Sequence, residues 1–517
     1  MSTIGLVGQP VARAATLDYT DPATFDDFHR TFEARTDRVG QATDLNEWLG
    51  ALAWGQSYIQ VALMRMYDAF GDRRYLYDLV GHVDDVLASR DSVRGVTDYR
   101  GLSLPAWRAH YPYTMGGVDL LDASGRQTLQ VRSVRTPIEQ LLTLKPTEVE
   151  PFIDVNVAPG PSVETFTLTV THRNFGVIEV FDDLSMDPAS PKYVVTRVHA
   201  RWPTFNSVTV KDLRPTPAAA GDPAPGTFSM RSLPHVFAVH TGQIVHPIAW
   251  FARTVLQTPT LRRDPVLRAK AESYIDAAEA AIAVHDEEWR ENDSGEGWYV
   301  FRKGDPSGFD GAEQPANQFL APGRAQLHLA AVTGKRIYAD RAAKMARTLR
   351  NQLTVDSDNA YVWHYWPTWG WVSNGWQKSD DVSEFRLSFC CARQIEDISH
   401  AHIDVDFAVQ AFRDRVAFTG ADMQHFAKTF TRNLIAFESN GDPTVWFRVD
   451  GSFRTGVLSD ELVAAGWMPI AFWDEEVFRH CNAMYEASGL TPQFEFLSGY
   501  MLMGVANLAW FARRGQG

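Results

Sequence analysis

One unit recurs in this chain and limits what it can fold into: a helix, a glycine, then a return helix opened by a tyrosine. Gly71-Asp72-Arg73-Arg74-Tyr75 and Gly334-Lys335-Arg336-Ile337-Tyr338 carry Gly and Tyr at the same offset, each between amphipathic stretches. Glycine ends a helix where a left-handed residue is needed, and the tyrosine starts the return helix and packs back. Looser echoes run from Ala249 to Ala281 across Pro259 and Pro265, and from Met484 to Phe511 across Gly489. Helical hairpins that each bury one face close into a toroid or stack into a solenoid. The Trp- and His-bearing loops between the hairpins favour the toroid, whose rim gathers loops from several units. The expected fold is therefore mainly α: an α/α toroid built from residues 1–121 and 233–517. Its first strong helix is expected from an Asp44 N-cap, with Glu47 three residues on, through Met66.

Residues 122–232 break the helical pattern. Thr165-Phe166-Thr167-Leu168-Thr169-Val170-Thr171 alternates with period two, as do Val177 to Phe181 and Ser207-Val208-Thr209-Val210. The run Pro215 to Pro223 is rich in Pro and Ala and reads as a linker. This segment is expected to be a small β-sandwich-like domain inserted into the helical one. Its stretch Val180 to Pro188, continuing through Ser190-Pro191-Lys192-Tyr193-Val194, resembles the β-domain of contractile phage-tail sheath proteins. The insert offers a surface for oligomerisation.

At 517 residues the chain exceeds one ordinary core, and 45% hydrophobic with 22% charged residues is a globular composition. A formal charge of −14 argues against a nucleic-acid partner, which would require a basic face. An acidic glycan remains compatible, because a local Arg/His cleft can sit within an acidic protein. The three cysteines, Cys390, Cys391 and Cys481, imply no disulfide framework, and the adjacent pair reads as buried and inert. No run approaches the length of a membrane span, so no membrane partner is expected. Met1 to Gln9 shows no signal-peptide pattern, so the chain as written reads as cytoplasmic, or as a secreted enzyme without its leader.

Chemistry concentrates in three polar islands. Glu396-Asp397-Ile398-Ser399-His400-Ala401-His402-Ile403-Asp404-Val405-Asp406 opens an apolar helical pattern, and such polar density is costly without partners or a task. His240-Thr241-Gly242 and Pro315-Ala316-Asn317-Gln318 share its character. Each residue also has a structural explanation. Asn317 could cap the following helix, His400 could be a satisfied core histidine, and Arg324 could pair with a carboxylate. His364, between Trp363 and Tyr365, divides evenly between aromatic packing and substrate contact. His400 with Asp404, or His402 with Asp406, could each hold zinc at i, i+4. They lie on two helix faces with no further ligands at a recognised spacing, so no metal is assigned.

The His-Thr-Gly island, the Pro-x-Asn-Gln turn, Val332-Thr333-Gly334 with Tyr338, Tyr361-Val362-Trp363-His364-Tyr365-Trp366 and Glu396-Asp397-x-Ser399-His400 together resemble the α/α-toroid polysaccharide lyases of family 38. The likeness covers roughly residues 43–121 and 233–510. It implies a lyase acting on glucuronan, alginate or another uronate polysaccharide by β-elimination, with no cofactor. Carried over, the family's Asn and His fall on Asn317 and His400. The family's Arg and Tyr have no clear counterpart: Arg448 and Arg454 flank Asp450-Gly451-Ser452 without a tyrosine between them. Tyr365, Tyr361, Tyr111 and Tyr113 then compete as the acid, with Tyr365 preferred. His240, Arg324, His364, Trp366, Glu396 and Arg448 are the expected substrate contacts. Three alternatives stand: an inverting glycoside hydrolase using Glu396, Asp397 or Asp404, a uronyl C5-epimerase, and a non-enzymatic glycan-binding component of a phage or injection particle.

Overall fold

The computed structural model describes residues 17–36, 46–110, 112–133, 153–173, 176–200, 207–454, 456–495 and 497–514. The expected N-cap Asp44 and the candidate Tyr111 lie outside them.

The expectation of a mainly α chain with a small β insert is corrected. The described residues are 48% helical with 17% strand in five antiparallel sheets, two of them four-stranded, which makes this a mixed α/β protein. The excess over expectation has two sources. The segment between Gly116 and Ser232 is a full two-sheet unit. In addition, loops of the helical part pair as short ribbons at Trp289–Glu291 with Gly297–Tyr299, Thr354–Val355 with Tyr361–Val362, and Ile435–Phe437 with Pro443–Val445. Three-residue strands carry too little alternation to stand out in a sequence.

The helices are α1 (Pro22–Thr36), α2 (Ser57–Phe70), α3 (Arg74–Ala88), α4 (Ala238–Gln257), α5 (Pro265–Ala283) and α6 (Ala316–Thr333). They continue with α7 (Arg336–Gln352), α8 (Ile398–Arg413), α9 (Gly420–Lys428), α10 (Glu476–Ser488) and α11 (Gly499–Arg514). A 3-10 segment spans Val463–Ile470, and a π-helical turn, Leu52–Gln56, leads into α2. Gly71 and Gly334 close α2 and α6 in the left-handed conformation, at φ 70° and 67°. Tyr75 and Tyr338 on the return helices are buried.

Six helical segments pack in a closed cycle: α2 on α4, α4 on α6, α6 on α8, α8 on Val463–Ile470, that segment on α11, and α11 back on α2. Their sequences explain the inner position. Residues 57–66 of α2 and 238–249 of α4 are buried without interruption, whereas α7 buries one stripe: Tyr338, Ala342, Met345, Ala346, Thr348, Leu349 and Gln352. The ring helices run in one direction, because starts meet starts and ends meet ends. A Cβ on Gly499 would stand 2.3 Å from the Gly55 carbonyl oxygen, while Trp510 Nε1 donates to Asp68 at 2.6 Å. Near their starts α4 and α6 touch backbone to backbone. A Cβ on Gly242 would lie 2.2 Å from the Pro322 nitrogen, which carries no hydrogen to project into the contact.

Strands β1 (Gly116–Leu121), β2 (Gln127–Ser133), β3 (Ile153–Pro159), β4 (Phe166–His172), β5 (Gly176–Leu184), β6 (Val208–Asp212), β7 (Gly226–Ser229) and β8 (Arg231–Ser232) form two sheets, ordered β6-β2-β1-β8 and β5-β4-β3-β7. Alternate residues of both, among them Leu129, Val131, Val155, Leu168 and Val210, share a core separate from that of the ring. Among the described residues no helix is long and apolar enough to cross a membrane.

Candidate active site

Four segments distant in sequence are zipped together at the N-terminal end of the ring. The segment 363–365 runs antiparallel to 394–396: Tyr365 N donates to Gln394 O at 3.0 Å and Glu396 N to Trp363 O at 3.0 Å, with His364 bridged to Ile395. The opposite edge pairs with 447–449, where Ile398 N donates to Phe447 O at 2.7 Å and Asp397 is bridged to Arg448. The Tyr365 carbonyl accepts from Ala316 N at 3.2 Å, which ties in the start of α6. Thus Asn317, His364, Tyr365, Trp366, Glu396, His400 and Arg448 belong to one neighbourhood.

Asp397 is the N-cap of α8. Its Oδ1 accepts from Ser399 N at 2.9 Å and His400 N at 3.1 Å, and its Oδ2 accepts from His400 Nδ1 at 2.7 Å. A donor at Nδ1 leaves Nε2 as the acceptor nitrogen of a neutral ring, on a side chain 36% exposed. Burial pulls the Asp397 carboxyl upward, but hydrogen bonds and charge from His400, with the Ser399 hydroxyl, outweigh it and hold the group below the usual range. Tyr365 stacks at a tilt on His400, ring centroids 5.2 Å apart. Burial first, then the nearby Glu396 carboxyl, pushes that phenol far up, so it stays protonated.

Glu396 and Asp404, both fully buried, form a second feature beneath the dyad. Glu396 Oε1 accepts from Asp397 N at 2.9 Å and Asp404 Oδ2 from Trp363 Nε1 at 2.9 Å. Their other oxygens, Oε2 and Oδ1, find no donor, and the two carboxyls interact across the core. Burial raises both carboxyls, reinforced at Glu396 by the Asp404 and Asp397 charges and at Asp404 by Asp397, so the pair retains a proton.

Asn317 is 1% exposed and its Oδ1 has no partner. Trp366 is buried, Trp369 and Trp371 are each 40% exposed, and His364 is half-buried. The Arg448 guanidinium makes no ion pair among the described residues and lies 5.5 Å from the Phe453 ring. Two expected contacts lie elsewhere. Arg324, 4% exposed, sits on the ring axis with Asp406 (3.2 Å) and Gln243. His240 is caged by Asn46, Trp54 and Tyr113, and burial lowers its pKa to about 3. The rival tyrosines are occupied: Tyr361 donates to Asp422 at 2.6 Å and Tyr113 to the Leu49 carbonyl at 2.9 Å. The expectation of a buried Cys390-Cys391 pair is corrected. Both are exposed, on an irregular segment where Cys391 takes φ 148°.

Sequence reasoning offered Asp397 only as a possible hydrolase carboxylate and not as the partner of His400. The signal for Asp397 was present as Asp-x-x-His at a helix start, where a capping carboxylate reaches the side chain one turn on. Glu396, Asp397 and His400 offer ligand atoms within 4.8 Å of one another and could hold a cation, as could His29, Glu33 and His82 between α1 and α3. The chain matches no protein-family model, no curated protein and no solved structure.

Proposed function

We propose that this chain is a lyase that cleaves a uronate-containing polysaccharide by β-elimination at the N-terminal end of the helical ring. One observation carries the reading: the Asp397–His400 dyad, on a partly exposed imidazole, stands beside a tyrosine held in its protonated form. Base and acid are the two groups an elimination needs.

In this reading His400 Nε2 takes the C5 proton of the uronate. The C5–H electrons form the C4–C5 double bond as the C4–O bond breaks, and the Tyr365 hydroxyl gives its proton to the departing oxygen. The uronate carboxylate must be neutralised before C5 becomes acidic enough, which falls to the unpaired Arg448 and the Asn317 amide. Trp369 and Trp371 offer exposed faces for neighbouring sugar rings. An acidic glycan is the substrate class, and glucuronan and alginate are the polymers to test first.

Hydrolysis is the weaker reading, because Glu396 and Asp404 share a proton in the core instead of flanking an open space of roughly 6.5–9.5 Å. The deciding experiment offers glucuronan, alginate and glycosaminoglycans and follows the ultraviolet absorbance of the unsaturated uronate. Reducing ends without that absorbance select hydrolysis. Solvent proton exchange without chain cleavage selects epimerisation, and binding without turnover selects a glycan-anchoring role.

A further inference from the structure

We propose that the opposite, C-terminal end of the ring holds a second binding site, for a small molecule bearing an oxyanion, either carboxylate or phosphate. A cleft of about 270 Å³ opens there, lined by Arg65, Trp250, Arg253, His328, Gln410 and Arg413, with Asp406 and Asp414. It is separate from the His400 neighbourhood and does not rest on the lyase reading.

The charge count favours an anion. Arg65 and Arg324 share one carboxylate, Asp406, at 3.3 and 3.2 Å, and Arg253 is paired with Asp414 at 2.6 Å. Arg413 has no ion pair among the described residues, and Phe472 is the ring nearest its guanidinium at 6.0 Å. Four guanidiniums therefore meet two carboxylates. Asp68 adds nothing to this balance, being held by Arg514 at 2.8 Å and by Trp510.

A second observation points into the cleft. His328 is 5% exposed, and neither of its ring nitrogens has a partner. Burial and then the neighbouring Arg253 lower its pKa to about 3, so the ring is neutral and offers one N–H donor. Leaving such a donor without an acceptor in the interior costs free energy that a bound oxyanion would recover. Gln410 Oε1 and Arg65 Nε are likewise unsatisfied.

The ends of α4, α6 and α8 oppose an anion with about half a negative charge each, a field that fades within a turn. Direct bonds from a guanidinium fork outweigh it, being charge-assisted and bidentate. At about 270 Å³ the cleft falls just below the usual ~300–1,000 Å³ of ligand pockets, so it suits a metabolite-sized ligand and excludes a polymer. The Trp250 ring, with Arg65 4.9 Å from its centroid, gives one flat wall.

The test is calorimetric titration and thermal melting of the full chain with sodium phosphate and, separately, sodium glucuronate. Saturable binding with a Kd of about 1 mM or tighter is expected for at least one probe, with a rise in Tm. Saturation by phosphate identifies a bare oxyanion site, and saturation by glucuronate alone identifies a sugar acid. Arg413→Ala, at an exposed position, should weaken binding about tenfold or more without lowering the ligand-free Tm, while Arg290→Ala, on the distant ribbon, should not weaken it. His328→Leu should weaken it as well. Silence from both probes, or binding unchanged in Arg413→Ala, overturns the proposal.

Discussion

Asp397 Oδ2 stands 2.7 Å from His400 Nδ1 across a single helical turn, so the carboxylate that caps α8 also sets the tautomer of the imidazole. Two functions in one side chain can be separated by substitution. Asp397→Asn retains a capping oxygen but turns a donor or a neutral acceptor toward Nδ1, so activity should fall about 10²–10⁴-fold with little loss of stability. Asp397→Ala should lose activity equally and also about 1 kcal/mol of stability. Turnover by the proposed elimination assay and thermal melts of both variants check this. Equal melting temperatures would show that the cap contributes nothing.

Tyr365→Phe keeps the ring on His400 and removes only the hydroxyl. If Tyr365 is the acid, kcat should drop about 10²–10⁴-fold with KM nearly unchanged. Near-parental kcat would transfer the role to another group.

Asn317→Ala should remove most elimination activity and leave Tm within a few degrees, since the Oδ1 it deletes makes no bond. A fall in Tm equivalent to about 2 kcal/mol or more would mark Asn317 as a residue that holds the fold.

The Glu396–Asp404 pair gives a signed pH dependence. Both folded pKa values are raised, Asp404 to about 8, so between the ordinary carboxylate range and about pH 8 the folded state holds a proton that the unfolded chain has released. Stability from this pair therefore falls as pH rises, by about 1.4 kcal/mol per unit for each such proton. Glu396→Gln supplies a permanent donor of similar shape, so its Tm should decline less than the parent's between pH 5 and 8 on denaturation curves taken at matched ionic strength. Parallel pH profiles would mean that no proton is shared.

Gly242→Ala tests the closest ring contact. Its new Cβ would meet backbone atoms of Ala321 and Pro322 at 2.2–2.4 Å, which no rotamer change relieves. The cost should lie at or beyond the upper end of about 1–3 kcal/mol, read by urea unfolding.

The amino-acid sequence by itself determined the local events. Gly71 and Gly334 end helices because glycine tolerates a left-handed backbone at no cost. It also marked the 396–406 island, because carboxylates and imidazoles are not buried without compensation. Only the tertiary structure decided which of those groups face one another. Tyr365 meets His400 through a backbone zipper of residues 363–365 with 394–396, and main-chain pairing of that kind leaves no side-chain signature. Arg324, in contrast, was drawn onto the ring axis by Asp406, a partner that only the packing of α6 on α8 supplies. The short ribbons that shift the chain from mainly α to mixed α/β are set by the same long-range pairing, which no local periodicity encodes.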